Sequence, residues 1–174
     1  MNAIKVVEYN ENWPAEFEKI KAELMSALGD TVLAVEHVGS TSVPQLSAKP
    51  FIDIDIVIEP NMFDAVAGIL KTEGYTHQGD LGIAGREAFF YQGKEHLMRH
   101  NLYVCAKDAD ELKRHMALRD FLRENEDYRE KYSNIKIEMA KKHPYDIEAY
   151  LFGKEPVIME IYEKCGFDIN YKNK

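Results

Sequence analysis

Residues 36–58, EHVGSTSVPQLSAKPFIDIDIVI, decide the fold of this chain. Their second half, FIDIDIVI, places an isoleucine at every second position, and side chains on a β-strand alternate between its two faces. The segment therefore predicts a strand over 51–58 with all its isoleucines on one face. Asp53 and Asp55 share the other face, with their Cβ atoms about 7 Å apart.

The aspartate pair has two explanations. Two carboxylates this close raise each other's pKa unless a cation relieves the repulsion, and Mg²⁺ prefers one or two carboxylates together with substrate phosphates. A solvated acidic face on an edge strand is the more frequent origin of such a pattern. Phe51 and Val57, however, put large apolar side chains at both ends of this face, and aspartate is a poor strand former. A site for Mg²⁺ or Mn²⁺ with Asp53 and Asp55 as ligands is the hypothesis, and the solvated strand is the alternative.

A turn of small residues precedes this strand. Gly39, Ser40 and Thr41 allow the backbone to approach a ligand, successive N–H groups can form an anion-binding nest, and the hydroxyls add donors. An ordinary Gly/Ser turn is the alternative, and the stretch is no P-loop because it lacks G-x-x-x-x-G-K-[ST]. Lys49 could pair with the aspartates or meet a phosphate, and His37 is either a core histidine or a catalytic one.

The rest of the chain predicts a mixture of helices and strands. The predicted elements are a helix over 13–28, strands over 31–38 and 51–58, a helix from 63 to 74, short strands within 75–105, and helices from 108 onward. Gly153 and Pro156 predict a break in the last helix, because proline lacks an N–H and clashes with a preceding carbonyl. The order predicts one α+β domain over 1–174, with a mixed sheet flanked by helices and a helical C-terminal part over about 108–174.

Size and charge narrow the function. The chain has 174 residues, 20.1 kDa and a net charge of −8, so it fits one domain and lacks the cationic surface of a general nucleic-acid binder. No apolar run is long enough to span a bilayer, and the start lacks the apolar core of a secretory signal. Cys105 and Cys165 lie far apart and predict reduced thiols. We therefore expect a cytoplasmic protein that does not bind membranes.

Together these motifs resemble a known family. A strand, a Gly-Ser-Thr turn and a D-x-D strand follow one another in residues 36–58, and this stretch is very similar to the core signature of the GrpB-like proteins, which are placed in the nucleotidyltransferase superfamily. VVEYNENWPAEFEKIKAEL near the start resembles the opening of that family. LRDFLRENEDYREKYSNIK, with Tyr150 and Lys154, resembles its helical tail. The resemblance covers nearly the whole chain.

The resemblance implies a nucleotidyltransferase fold and a metal-dependent transfer. In that superfamily a Gly-Ser motif holds the triphosphate of a nucleotide, and two strand aspartates hold Mg²⁺ for in-line attack on the α-phosphorus. Carried over to this sequence, Gly39, Ser40 and Thr41 would form the phosphate cradle, and Asp53 and Asp55 would hold the metal. The expected partners are a nucleoside triphosphate and an acceptor of unknown identity.

The chain departs from the superfamily in one strand. Active members usually carry a third carboxylate on a later strand, whereas the matching strand here, RHNLYVC, has no acid. In GrpB-like relatives a histidine tends to stand in this strand, so His100 is the candidate base, and Glu87 is another candidate. A site that binds nucleotide without turnover is the remaining interpretation.

The helical tail offers basic residues at positions that match the family pattern, namely Arg119, Arg123, Lys136 and Lys154. Arg119 and Arg123 share a helix face and could close over phosphates, although nearby acids also favour a solvated helix of mixed charge. Lys136 and Lys154 each follow a tyrosine by four positions. A tyrosine packed on the lysine stem would fix the position of the ammonium.

Three functions remain open from the sequence. The first is Mg²⁺-dependent transfer of a nucleoside monophosphate from a nucleoside triphosphate to a hydroxyl of a small molecule or a protein. The second is a module that binds a nucleotide or phosphometabolite without turnover, which the missing acid favours. The third is a non-catalytic accessory domain near coenzyme A synthesis, because GrpB-like domains in some proteins are joined to dephospho-CoA kinase.

Overall fold

The computed structural model describes residues 3–169, which form a mixed five-stranded sheet with five α-helices. The helices are α1 (Trp13–Leu28), α2 (Phe63–Thr72), α3 (Asp110–Glu124), α4 (Glu126–Lys142) and α5 (Ile147–Lys164). The strands are β1 (Ala34–Val38), β2 (Ile52–Ile58), β3 (Tyr75–His77), β4 (Glu87–Tyr91) and β5 (His100–Ala106). The sheet order is β1-β2-β5-β4-β3, with β2 and β5 parallel and the other neighbours antiparallel, which confirms the α+β fold. Among the described residues, none of the helices has both the length and the apolar character needed to cross a bilayer.

Helices α1 and α2 cover the face of the sheet that carries the isoleucines of β2. The buried side of α1 consists of Trp13, Phe17, Ile20, Leu24 and Leu28. Their spacing of three or four residues is the one that predicted this helix, and the observed bounds agree with the prediction. Val66 and Leu70 of α2 complete this layer, in which each fully buried large side chain contributes about 1.5–3 kcal/mol. The aspartates of β2 are therefore left on the opposite face.

The C-terminal helices cover part of that opposite face. Leu112 of α3 packs on Val57 of β2 and Cys105 of β5, near the C-terminal ends of both strands. A further core joins the loop before β2 to α3, α4 and α5, and its buried members are Val43, Leu46, Leu122, Tyr132, Val157 and Ile161. The loop that begins with the Gly-Ser-Thr turn is therefore packed between the sheet and the helices.

Helix α5 runs from Ile147 to Lys164 without the predicted break. Pro156 lies inside it on the exposed side, where water can bond the carbonyl that the proline leaves without a donor. A Cβ at Gly153 would lie 2.1 Å from Sδ of Met139 in α4, so this glycine allows the two helices to approach closely. The prediction of a break was wrong because the packing of α5 on α3 and α4 outweighs one missing hydrogen bond.

Candidate functional site

The two predicted metal ligands lie on β2, which is paired on both sides. β1 and β5 flank it, and the register places Asp53 opposite Asn101 and Asp55 opposite Tyr103 of β5. β2 is therefore a central strand of the sheet, and Asp55 is completely buried. The alternative of a solvated acidic face on an edge strand is wrong.

Asp55 is held by a histidine that arrives from α3. Nδ1 of His115 lies 2.7 Å from Oδ2 of Asp55, and Nε2 of the same ring lies 3.4 Å from Oε1 of Glu111, one helical turn earlier. Burial by itself lowers the pKa of His115, but the hydrogen bonds and charges of Asp55 and Glu111 outweigh burial and raise it to about 9. His115 is thus an imidazolium at neutral pH, and it compensates the charge of the buried carboxylate.

The second oxygen of Asp55 has no such partner. Oδ1 is buried and accepts no hydrogen bond from any group within residues 3–169. Buried polar atoms are nearly always satisfied in folded proteins, so this exception needs an explanation. A cation beside Oδ1 would supply the missing interaction.

Asp53 lies against the turn that follows β1. Its Oδ1 accepts a hydrogen bond of 2.7 Å from the side-chain amide of Asn101. A Cβ at Gly39 would lie only 2.2 Å from Oδ2 of Asp53, and Gly39 has a φ of +69°, so both space and backbone conformation require glycine. Burial raises the pKa of Asp53. The hydrogen bond from Asn101 and the positive charges of His115 and Lys154 lower this pKa, but burial outweighs them.

The hydroxyl groups of the turn have different partners. Oγ1 of Thr41 donates to the backbone carbonyl of Phe51 over 3.2 Å and lies 3.0 Å from Nε2 of His37, so it ties the turn to the two strands beside it. Oγ of Ser40 instead accepts a hydrogen bond of 2.9 Å from Nζ of Lys136. Of the predicted cradle, Thr41 is therefore a buried connection, whereas Ser40 is the hydroxyl that meets a cation.

Lys136 of α4 is a buried cation beside the turn. The residue is 1% exposed, its Nζ also donates to the backbone carbonyl of Ser47, and the ammonium lies 4.3 Å from the ring centre of Tyr132. Burial, aided by the charge of Lys154, lowers the pKa of Lys136 well below its usual value, although Asp53 opposes this shift. The predicted pairing of this lysine with the tyrosine four residues earlier is confirmed.

Two more lysines share the ring of Tyr150. Nζ of Lys49 lies 5.6 Å from the ring centre and Nζ of Lys154 lies 5.3 Å from it. Burial, together with the charge of Lys154, lowers the pKa of Lys49. Burial also opposes the charge of Lys154, but Tyr132, Tyr150 and Asp53 outweigh it and raise the pKa of that lysine. Three lysines from three segments of the chain thus surround the end of β2 where Asp53 lies.

Two predicted bases lie on the opposite face of the sheet. Nε2 of His100 is 2.9 Å from the hydroxyl of Tyr75, and its ring stacks on that of Tyr91 with centres 4.1 Å apart. Glu87 bonds the ring of His77 over 2.6 Å. Because side chains of β5 alternate, position 100 points toward the isoleucine layer, and the expectation that His100 or Glu87 acts beside the aspartates is corrected.

The two arginines of α3 that the sequence singled out, Arg119 and Arg123, are bound to protein groups. Arg119 donates from Nη1 to Glu36 over 2.9 Å and from Nε to Asp120 over 2.7 Å. Arg123 donates to the backbone carbonyl of Ser42 from Nε and Nη2. These side chains tie α3 to β1 and to the turn, so the structure does not bring Arg119 to the phosphate cradle.

His115 was not predicted from the sequence. The available signal was Glu111 and His115 four positions apart on one helix face, a spacing that is common on solvated helices. The contact of His115 with Asp55 joins positions 60 residues apart, which no local pattern reveals.

The assembled residues fit a hard divalent cation. Asp55 offers a buried oxygen without a donor, Asp53 offers its Oδ2, and Gly39 leaves space beside that oxygen. Within residues 3–169, no three or more histidine, cysteine, aspartate or glutamate side chains gather into a metal site. A cation at the two aspartates would therefore complete its coordination with ligand phosphates and water, as Mg²⁺ commonly does.

Solved structures of other proteins show which fold this is. Solved structures of the GLD-2/RNP-8 complex and of the Cid1 poly(U) polymerase share it, with TM-scores of 0.58 and 0.52. Their identities to this chain are 13% and 9%, over 94% and 75% of its length and 63% and 45% of theirs, so the likeness shows the fold alone. The chain has the fold of the nucleotidyltransferases.

Closer comparisons define the family. The family model described as GrpB protein matches residues 3–164. The crystal structure of conserved protein GrpB from Enterococcus faecalis has a TM-score of 0.78 at 31% identity, over 94% of this chain and 100% of that one. The chain belongs to the GrpB family, as the sequence resemblance predicted.

Relatives differ in how much of their length the chain covers. UPF0157 protein YqkA of Bacillus subtilis is 34% identical over 165 residues, 93% of this chain and 47% of that protein. UPF0157 protein BH1888 of Halalkalibacterium halodurans is 33% identical over 168 residues, 94% of this chain and 83% of that protein. A dephospho-CoA kinase of Mycolicibacterium paratuberculosis is 25% identical over 188 aligned residues, 93% of this chain and 46% of that protein. The chain thus spans about half the length of YqkA and of the kinase.

Proposed function

We propose that this GrpB-family chain is a nucleotidyltransferase that depends on Mg²⁺ or Mn²⁺ and moves a nucleoside monophosphate from a nucleoside triphosphate to an acceptor hydroxyl. The observation that carries the proposal is the contact of the Gly39 turn with Asp53, next to the hydrogen bond between Lys136 and Ser40. An acidic wall suited to a cation adjoins a basic wall suited to phosphates. A polyphosphate with a bound metal ion would place its cation at the acidic wall and its phosphates at the basic wall.

The basic wall is built to receive phosphate groups. Lysine ammonium groups act as point charges toward phosphate, and Lys136 is fixed in place by its hydrogen bonds and by Tyr132. Lys49 and Lys154 bring further charge from the loop before β2 and from α5. The glycine at position 39 lets the turn backbone approach the same phosphates closely.

The acidic wall supplies the electrostatics of the transfer. Asp53 and Asp55 would hold the cation, which neutralises charge that develops on the leaving pyrophosphate. In the transfer, the acceptor oxygen bonds to the α-phosphorus, the bond from that phosphorus to the bridging oxygen breaks, pyrophosphate leaves, and the hydroxyl proton passes to solvent. His115 keeps the Asp55 carboxyl oriented throughout.

Comparison with a protein of the same fold supports this proposal. The Cid1 poly(U) polymerase, which has this fold at 9% identity, was solved bound to MgATP. The fold is therefore compatible with a magnesium–nucleotide complex, and the residues at the aspartate strand supply the matching charges here.

A second candidate function is nucleotide binding without turnover. Asn101 favours it, because this residue faces Asp53 from the neighbouring strand and donates an amide hydrogen where an acid would accept a proton. A third candidate, an accessory role near coenzyme A synthesis, is favoured by the dephospho-CoA kinase relative, to which the chain is similar over 46% of that protein.

Calorimetric titration of ATP, CTP, GTP and UTP, with and without Mg²⁺, tests the proposal. We expect at least one nucleotide to bind only with the cation, and Asp53→Asn to weaken that binding about tenfold or more, because a charge-assisted contact is lost. Pyrophosphate release in the presence of a hydroxyl acceptor then separates transfer from binding alone. Lack of binding by all four nucleotides, or binding that Asp53→Asn leaves unchanged, would overturn both functions.

A pair of glycine variants locates the bound phosphates. Gly39→Ala places a methyl group 2.2 Å from Oδ2 of Asp53, so it should abolish Mg²⁺-dependent binding. Gly29→Ala is the matched control, since Gly29 has a φ of +50° but nothing lies within 4 Å of the position that its added methyl group would take. It adds backbone strain without touching the site, and nucleotide affinity should stay at the level of the natural chain.

A further inference from the structure

A groove lies beside the aspartates on the same face of the sheet, over β4 and β5. Its volume is about 570 Å³. Asn101 and Tyr103 line it, and both face the side of the sheet that carries Asp53 and Asp55, as does Ala88 opposite Tyr103. The groove therefore begins at the residue that hydrogen-bonds Asp53 and extends over β4 and β5.

A guanidinium group that lines this groove lies on an aromatic ring. Cζ of Arg99 is 4.7 Å from the ring centre of Phe51. Arg99 takes part in none of the ion pairs found among residues 3–169. A guanidinium stacked on a ring keeps its N–H edge for an oxyanion in its plane.

The groove also exposes large apolar side chains. Phe90 is 47% exposed and lies two positions after Ala88, so it faces the same side of β4. Leu81, in the loop before β4, is 61% exposed and lines the groove as well. Aromatic and apolar walls with a few placed polar groups are typical of small-molecule sites.

We infer that this groove is the acceptor site and binds a small molecule that carries a planar ring system and an anionic group. The rings of Phe51, Phe90 and Tyr103 contact the planar part. Arg99 binds the carboxylate or phosphate. The inference rests on the proposed function, because the contact between Asn101 and Asp53 is what places the groove beside the transferred group.

Protein-observed NMR titration of the chain with 2-naphthoate, without nucleotide or metal, tests the chemistry of the groove. The comparison ligands are 2-naphthalenemethanol, which has the ring but no charge, and decahydro-2-naphthoate, which has the charge but no aromatic ring. We expect 2-naphthoate to shift amide signals of β4 and β5 and to bind about tenfold more tightly than either comparison ligand. Equal affinity for the three ligands would overturn the inference.

Variants locate the binding within the groove. Arg99→Gln should weaken 2-naphthoate about fivefold or more, and Phe90→Ala should weaken it as well. Lys107→Gln, which removes the same charge from a side chain 52% exposed at the end of β5, is the matched control and should have no effect. The spectrum of each variant also reports whether it is folded. Equal affinities in Arg99→Gln and Lys107→Gln would contradict the assignment.

The two proposals can fail separately. Asp53→Asn should leave 2-naphthoate binding intact while it removes Mg²⁺-dependent nucleotide binding. If the natural chain binds 2-naphthoate but none of the four nucleotides with Mg²⁺, the transfer function alone is refuted. If a nucleotide binds, 2-naphthoate should occupy the groove together with it. Displacement of the nucleotide by 2-naphthoate would show that the groove holds the nucleotide base, and would overturn its assignment to the acceptor.

Discussion

His37 is a buried histidine that the fold keeps neutral. Its ring stacks on Phe17 with centres 4.6 Å apart, and burial, aided by the charges of Arg123 and Arg119, lowers its pKa to about 4. The unfolded chain titrates histidine near pH 6.5. Folding therefore gains stability from this group above pH 6.5 and loses it as the pH falls through 4, by up to about 3 kcal/mol.

The pH dependence of unfolding checks the role of His37. We expect the free energy of unfolding of the natural chain, minus that of His37→Gln, to fall by up to about 3 kcal/mol between pH 7 and pH 4. Urea titrations of both proteins at several pH values measure this difference. Parallel pH profiles of the two proteins would contradict it.

Residue positions were predictable from the sequence where a local pattern decides them. The face shared by Asp53 and Asp55 follows from strand alternation, and the pairing of Lys136 with Tyr132 follows from helical spacing. The partners of those residues were not predictable, because His115 meets Asp55 only through the path of α3 across the sheet. The face of the sheet on which His100 lies was not predictable either, because a shift of one residue along a strand moves a side chain to the other face.

At the scale of elements, the contact of α4 with α5 can be tested by overpacking. Gly153→Ala would place a methyl group 2.1 Å from Sδ of Met139, and we expect a loss of about 1–3 kcal/mol in the free energy of unfolding. Gly68→Ala in α2 is the matched control, because nothing lies within 4 Å of its added methyl group. That change should stabilise by about 0.5–1 kcal/mol, since alanine loses less backbone entropy in a helix.

Urea unfolding of both glycine variants measures these changes. The prediction requires only that Gly153→Ala lowers the free energy of unfolding and that Gly68→Ala raises it. The two changes need not be equal in size. A gain at position 153 would mean that the two helices separate readily there.

Element bounds were predictable where burial and propensity agree. The spacing from Trp13 to Leu28 gave α1 its observed limits, because its apolar stripe faces a sheet of matching character. The prediction of a break in α5 at Pro156 was wrong, because it considered only the local cost of a proline in a helix. The packing of the whole helix decides whether the helix continues.

For the whole molecule, the two layers should unfold together. The loop with Val43 and Leu46 is buried both against the helices and beside the sheet, so neither layer keeps its core without the other. Trp13 is the only tryptophan and reports on the α1 layer, whereas far-UV circular dichroism is dominated by all the helices. Urea transitions followed by the two signals should coincide, and separate midpoints would show two independent units.

The sheet order was beyond sequence reasoning. β5 lies between β2 and β4 although α2 and two strands separate β2 from β5 along the chain. Local patterns identify strands but do not pair them, so the groove over β4 and β5 became visible only in three dimensions.

The buried ammonium of Lys136 has a thermodynamic consequence. Folding has already stripped this group of its hydration shell and weakened its hold on a proton. An incoming polyanion strengthens that hold, so affinity for a polyanion at Ser40 should fall as the pH rises and the ammonium loses its proton.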